Sequence, residues 1–61
     1  MKFKYGEKVK IITGDFYKGA IGEVIGTSES FLNMFPSYTV LLKYGQKLVY
    51  DKDSLEKFNE D

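Results

Sequence analysis

Three neighbouring side chains combine the chemistry that nucleic-acid binding needs: Phe16 and Tyr17 are aromatic, and Lys18 follows them directly. An exposed aromatic ring can stack on an unpaired base, which stabilises such complexes by ~1–3 kcal/mol per base. A lysine ammonium group binds phosphate oxygens, and Lys10 adds a second cation on the outward side of the preceding predicted strand. Lys10, Phe16, Tyr17 and Lys18 are therefore the candidate nucleic-acid-binding residues.

Core packing offers a competing interpretation of the same aromatic residues. Large aromatic side chains often fill the core of a small domain, so Phe16, and less strongly Tyr17, can be interpreted as a plug at one end of the fold. Lys18 is then an ordinary solvated lysine. The sequence by itself leaves both interpretations open.

The charge of the chain limits the kind of nucleic-acid contact that is expected. The net charge is zero, all nine cations are lysines, and there is no arginine. Lysine cannot form the planar bidentate contact that reads guanine edges. Residues 1–20 carry +3 and residues 21–61 carry −3, so a basic face can only be local. A partner RNA or DNA would therefore be bound weakly, through its backbone, without sequence specificity and with a dependence on salt.

Three carboxylates, Asp51, Asp53 and Glu56, lie close together near the carboxyl terminus. The chain has no His and no Cys, so the usual acid–base side chain and the commonest zinc ligands are missing. The carboxylate spacing also matches no calcium-binding loop. We expect these side chains to cap a helical turn and face solvent, and we expect no enzyme activity, no catalytic residues, no metal site and no cofactor.

The segment 27–36 is a rival candidate site, because it holds four large apolar side chains where a loop is expected. Those side chains are Phe31, Leu32, Met34 and Phe35. They are interpreted either as a cover over an open end of the core or as an exposed contact for a protein partner or a second copy of the chain. Phe31 is expected to pack inward, and Met34 with Phe35 to stay partly exposed.

Length and composition indicate one small globular domain over residues 1–61. Hydrophobic residues make up 43% and charged residues 30% of the chain, which is typical of a folded domain. No apolar run approaches the ~20 residues that cross a bilayer, and the first residues lack the apolar stretch of a signal peptide. We therefore expect no membrane association and a cytoplasmic location.

Apolar alternation predicts an all-β domain. Strands are predicted over 8–12, 20–26, 37–44 and 47–51, and Gly45-Gln46 is predicted as a two-residue hairpin turn. Gly22 within the second strand indicates a bulge or a position where a Cβ would clash. The predicted core consists of Val9, Ile11, Val24, Val40, Leu42, Leu48 and Leu55. In the third strand, Tyr38 and Tyr44 are predicted to share the face of Val40 and Leu42.

The carboxyl-terminal segment changes pattern. Asp53 followed by Glu56 three residues later is typical of a helix start, and it predicts one helical turn that precedes a short strand or tail. Short strands, glycine turns and this helical turn together indicate a small antiparallel barrel of four to five strands. Closure would remove the exposed sheet edges that such short strands otherwise leave.

The first half of the chain resembles a known family motif. Residues Gly6–Val24, GEKVKIITGDFYKGAIGEV, are similar to the KOW motif of ribosomal proteins and of bacterial and archaeal transcription elongation factors. The likeness lies in the glycine spacing, in the turn Phe16-x-Lys18-Gly19 and in the step Gly22-x-Val24. One departure is Asp15, which stands where many members have proline.

The resemblance continues more weakly to the end of the chain. The segments 38–44 and 55–58, with the Gly45 turn, resemble the remaining strands and closing turn of the elongation-factor domain. The resemblance implies an SH3-like barrel with a short C-terminal helical turn. It also implies a small non-enzymatic binding module that makes accessory contact with nucleic acid or with a transcription or translation nucleoprotein machine. The alternative is a protein-interaction adaptor or homo-oligomer that uses the apolar residues 31–36.

Overall fold

The computed structural model describes residues 3–14, 16–28 and 36–59. Five antiparallel strands form one sheet in the order β4-β3-β2-β1-β5. The strands are β1 (Lys8–Ile11), β2 (Ile21–Ser28), β3 (Ser37–Leu42), β4 (Lys47–Asp51) and β5 (Leu55–Lys57). A single turn of 3₁₀ helix, Lys52–Ser54, joins β4 to β5. The predicted all-β class, with four to five antiparallel strands and a short helical turn near the carboxyl terminus, is confirmed, and the number of strands is five.

The expected closure into a barrel is not found, because no hydrogen bonds between described residues join the outermost strands of the sheet. Within the described ranges, β4 pairs with β3 and β5 pairs with β1, and no pairing joins β4 to β5. No helix in the described part of the chain is long and apolar enough to cross a membrane.

One face of the sheet carries the core, as the alternation predicts. Six of the predicted core residues are buried, and the seventh, Leu48, is half-buried against them. The structure adds Phe3 and Tyr38, whose rings meet edge to face with centroids 5.2 Å apart. Phe3 reaches the core because a turn at Lys4–Glu7 brings the chain back onto β2, where the Gly6 N–H donates to the Val24 carbonyl at 2.7 Å. The full buried set is Phe3, Val9, Ile11, Val24, Tyr38, Val40, Leu42 and Leu55.

Strand β2 contains both the close approach and the bulge that its glycines suggest, at two different positions. Gly22 is buried, and a Cβ there would meet the Val40 side chain and the Leu41 carbonyl oxygen. The bulge lies further along, because Val24 pairs with Val40 whereas Gly26 pairs with Thr39, which leaves Ile25 as the extra residue. Bulges increase local twist, so this one lets the longest strand curve around the core.

The turn between β3 and β4 corrects one prediction. β3 ends at Leu42, and the Gly45 N–H donates to the Leu42 carbonyl at 3.0 Å, so Lys43 and Tyr44 are the central residues of the turn. Gly45 follows with φ +92°, the conformation for which hairpins of this length use glycine. The two-residue turn and the extension of β3 to Tyr44 were therefore wrong, and Tyr44 does not share the core face.

The helical turn near the carboxyl terminus is capped by a different residue from the predicted one. The Asp51 carboxylate accepts hydrogen bonds from the Ser54 N–H at 3.0 Å and from the Ser54 hydroxyl at 2.7 Å. Asp53 lies within the turn instead of before it, because the helix ends where the sequence pattern predicted its start. Leu55 leaves the turn in an extended conformation and opens β5, with its side chain buried.

Candidate functional site

The loop between β1 and β2 is shaped by its two glycines. Gly14 and Gly19 have φ of +82° and +93°, which side chains with a Cβ rarely adopt. The Ala20 N–H donates to the Tyr17 carbonyl at 2.9 Å, and this closes a turn whose central residues are Lys18 and Gly19. Lys18 therefore lies at the tip of the loop with its side chain exposed.

The two aromatic residues of this loop have opposite environments. Tyr17 is half-buried and packs against the core, whereas the Phe16 side chain is 87% exposed. Their rings meet edge to face, with centroids 4.8 Å apart and an interplanar angle of 67°. Phe16 thus does not plug the fold. Tyr17 instead anchors the loop and holds the Phe16 ring out in solvent.

A second turn lies at the same end of the sheet as this loop. Because β2 and β3 pair Gly22 with Leu42, the residues just before Gly22 and just after Leu42 are brought together. The second of these segments is the β3–β4 turn, where the Tyr44 side chain is 82% exposed. The Lys43 Nζ atom lies 5.9 Å from the centroid of the Tyr44 ring, within the range of a cation–π contact.

The two turns border a recess with a volume of about 460 Å³, which we call the aromatic recess. Phe16 and Tyr17 line it from the first turn, and Lys43 and Tyr44 line it from the second. Of the residues that the structure describes, no Asp or Glu lines the recess. Its remaining lining residues are Ala20, Ile21, Leu42 and Gln46.

Sequence reasoning missed Lys43 and Tyr44 as candidate site residues. The signal that identifies them is local: each turn places an aromatic residue and a lysine directly before a glycine of positive φ. The prediction that Tyr44 belongs to the core face of β3 concealed this similarity. In the sequence, the glycine at position 45 is the feature that indicates a turn at Lys43-Tyr44 instead of a longer strand.

Neither of the two predicted lysines lines the recess. Lys10 is half-buried on the outer face of β1, directly opposite Ile21 of β2, and Ile21 lines the aromatic recess. On its other side, Lys10 lies opposite Glu56 of β5, whose negative charge offsets part of its field. Lys18 is exposed beside the recess without lining it.

A second concave surface adjoins the first on the outer face of the sheet, and we call it the outer-face recess. The two share Ile21, Leu42 and Lys43. The outer-face recess is more polar, since Lys8 and Glu23 also line it. Strand pairing places Lys8 opposite Glu23, Glu23 opposite Leu41, and Leu41 opposite Lys47, so this row carries two lysines and one glutamate.

The remaining candidates from the sequence are the apolar residues of segment 27–36 and the carboxylates near the carboxyl terminus. Phe31, Leu32, Met34 and Phe35 lie outside the described residues, and so does Asp15. The Asp51 carboxylate accepts hydrogen bonds from Ser54, as described above. In the described ranges, no group of three or more His, Cys, Asp or Glu side chains is placed to hold a metal ion.

Comparison with known proteins adds nothing to this geometry: no family model, no curated protein and no solved structure matches the chain.

Proposed function

We propose that this domain is a small non-enzymatic module that binds RNA or DNA weakly and without sequence specificity, through Phe16, Tyr17, Lys18 and Lys10. The observation that carries the proposal is the exposure of the Phe16 ring, held by Tyr17 beside an exposed lysine. The KOW-like glycine pattern supports the same function. It also supports a cytoplasmic role as an accessory contact in a transcription or translation machine.

The exposed Phe16 ring gains little from burial in the free protein, so it is available to a ligand. Single exposed apolar residues are common on protein surfaces. Phe16 and Tyr17, however, line one concave surface together, and such an aromatic patch suits a flat ligand. A nucleic acid supplies both a π-face for the rings and phosphates for the neighbouring lysines. Lys10 and Lys18 then contribute to the electrostatic part of the affinity.

The affinity is expected to be micromolar or weaker and to fall as salt rises. Each phosphate contact to a single strand contributes about −0.7 to the slope of log affinity against log salt concentration, so Lys10 and Lys18 together contribute about −1.4. Fluorescence anisotropy with labelled oligouridylate, oligothymidylate and a DNA duplex, at low and moderate salt, measures both the affinity and the slope.

Charge-neutralising variants test which lysines take part. Lys18→Gln should lower the affinity and reduce the salt slope by about 0.7, the share of one phosphate contact. Lys10→Gln should act in the same direction, and glutamine is used because a glutamate there would face Glu56 directly. Lys4→Gln is the matched control, since Lys4 is exposed and lines neither recess of the proposed site. Absence of binding to all three probes at low salt would overturn the proposal.

A further inference from the structure

We infer that the site selects unpaired nucleotides: one base enters the aromatic recess between Phe16 and Tyr44, and the adjoining phosphates follow the outer face past Lys43 and Lys8. This inference rests on the proposed function and specifies its substrate class. It adds Tyr44, Lys43 and Lys8 to the residues that the sequence suggests.

The exposed rings of the aromatic recess favour an unpaired base over a base pair. Phe16 and Tyr44 belong to two different turns, and both rings are largely exposed. A base within a duplex is already stacked on both of its faces and presents only its edges in the grooves. An unstacked base offers the faces that aromatic side chains bind. The lining formed by Tyr17, Ala20 and Leu42 suits a ring without charge.

The charge around the recess favours an anionic ligand. Lys43 lines both recesses, and its ammonium group lies near one face of the Tyr44 ring. A cationic ligand in an aromatic cage would be repelled by that ammonium group, whereas a phosphate next to a stacked base would be attracted. The outer-face recess continues from there and is lined by Lys43 and Lys8, so it gives the backbone of a single strand a path away from the aromatic recess.

Glu23 provides a test of that path, because it is the one carboxylate among the described residues that line the outer-face recess. It lies opposite Lys8, so its charge opposes the attraction between that lysine and a phosphate. If the strand follows the outer face, removal of the Glu23 charge should strengthen binding. If the strand leaves the aromatic recess in another direction, Glu23→Gln should have no effect.

The test compares a labelled oligouridylate with a DNA duplex in fluorescence anisotropy, with quenching of tyrosine fluorescence as a second signal. We expect wild-type protein to bind the single strand at least tenfold more tightly than the duplex. Phe16→Ala and Tyr44→Ala should each weaken single-strand binding by at least about fivefold, because each removes a stacking surface. Glu23→Gln should strengthen it by about two- to threefold, the usual size of one exposed charge interaction.

Tyr5→Ala is the matched aromatic control. Tyr5 is 75% exposed, close to the value for Tyr44, but it does not line either recess of the site. Because all three rings are largely exposed, their alanine variants should keep the wild-type melting temperature. A thermal melt of each variant confirms that a loss of binding reflects the missing ring.

The outcomes separate this inference from the proposed function. Equal affinity for single strand and duplex, with Tyr44→Ala indistinguishable from Tyr5→Ala and Lys18→Gln still weakened, overturns the inference and leaves the proposed function standing. Absence of binding to every oligonucleotide overturns both. Loss of self-association in Tyr44→Ala, without oligonucleotide binding by the wild type, would assign the recess to a second copy of the chain and would also overturn both.

Discussion

Gly22 of β2 lies directly against the Val40 side chain of β3: a Cβ at Gly22 would clash with Val40 Cγ1 and would lie 2.9 Å from the Leu41 carbonyl oxygen. The Val40 side chain cannot move away easily, because it is fully buried, and the carbonyl belongs to the sheet backbone. We expect Gly22→Ala to destabilise the fold by about 1–3 kcal/mol, the usual cost of overpacking a core. Urea unfolding followed by far-ultraviolet circular dichroism measures this change.

Gly26→Ala is the control for that variant. A Cβ at Gly26 would lie 3.6 Å from Thr39 Cβ, an ordinary van der Waals distance. Alanine also reduces the freedom of the unfolded chain, so the free energy of unfolding should stay the same or rise by up to ~1 kcal/mol. Equal destabilisation by the two variants would contradict the close approach at Gly22.

The same substitution at two valines separates burial from strand propensity. Val40 in β3 is fully buried, whereas Val49 in the adjacent strand β4 is 65% exposed. Val40→Ala should lower the free energy of unfolding by roughly 1–3 kcal/mol, which is a large share of the stability of a small domain. Val49→Ala should change it by less than about 0.5 kcal/mol. A thermal melt of both variants checks the difference, and similar melting temperatures would refute the assigned core face.

The cap on the helical turn gives a third prediction. Asp51→Ala removes the acceptor for both the N–H and the hydroxyl of Ser54, and we expect a loss of about 0.5–2 kcal/mol. Asp53→Ala is the matched control, because Asp53 is an exposed carboxylate in the same turn. Chemical denaturation of the two variants compares them. A larger effect at Asp53 would favour the cap that the sequence pattern indicates.

The apolar segment 27–36 gives a fourth prediction, which rests on the sequence alone. Phe31→Ser should lower the melting temperature and leave the oligomeric state unchanged, because Phe31 is expected to pack inward. The paired substitution Met34→Ser with Phe35→Ser should leave the melting temperature nearly unchanged and abolish any self-association or partner binding. Light scattering and thermal melts measure both effects. Large, equal destabilisation without a change in association would refute the interface interpretation.

Much of the strand framework is readable from the sequence, because local sterics and alternation determine it. Val9 and Ile11 fall on one face of β1 as a consequence of the two-residue strand period, and both are fully buried. Gly14 and Gly19 bound the first loop because they tolerate positive φ, and both adopt it. The candidate loop residues Phe16, Tyr17 and Lys18 follow from the same local pattern.

The tertiary structure decided which side chains meet. Tyr44 alternates like a core residue, yet it lies in solvent, because the turn forms two residues earlier than strand propensity suggests. The exposure of Phe16 and the half-burial of Tyr17 depend on which ring finds core atoms beneath it, and sequence spacing does not contain that information. Phe3 joins the core only because the chain folds back onto β2. The aromatic recess itself exists because the register of β2 on β3 brings two turns together that are far apart in the chain, and pairing register is a long-range property.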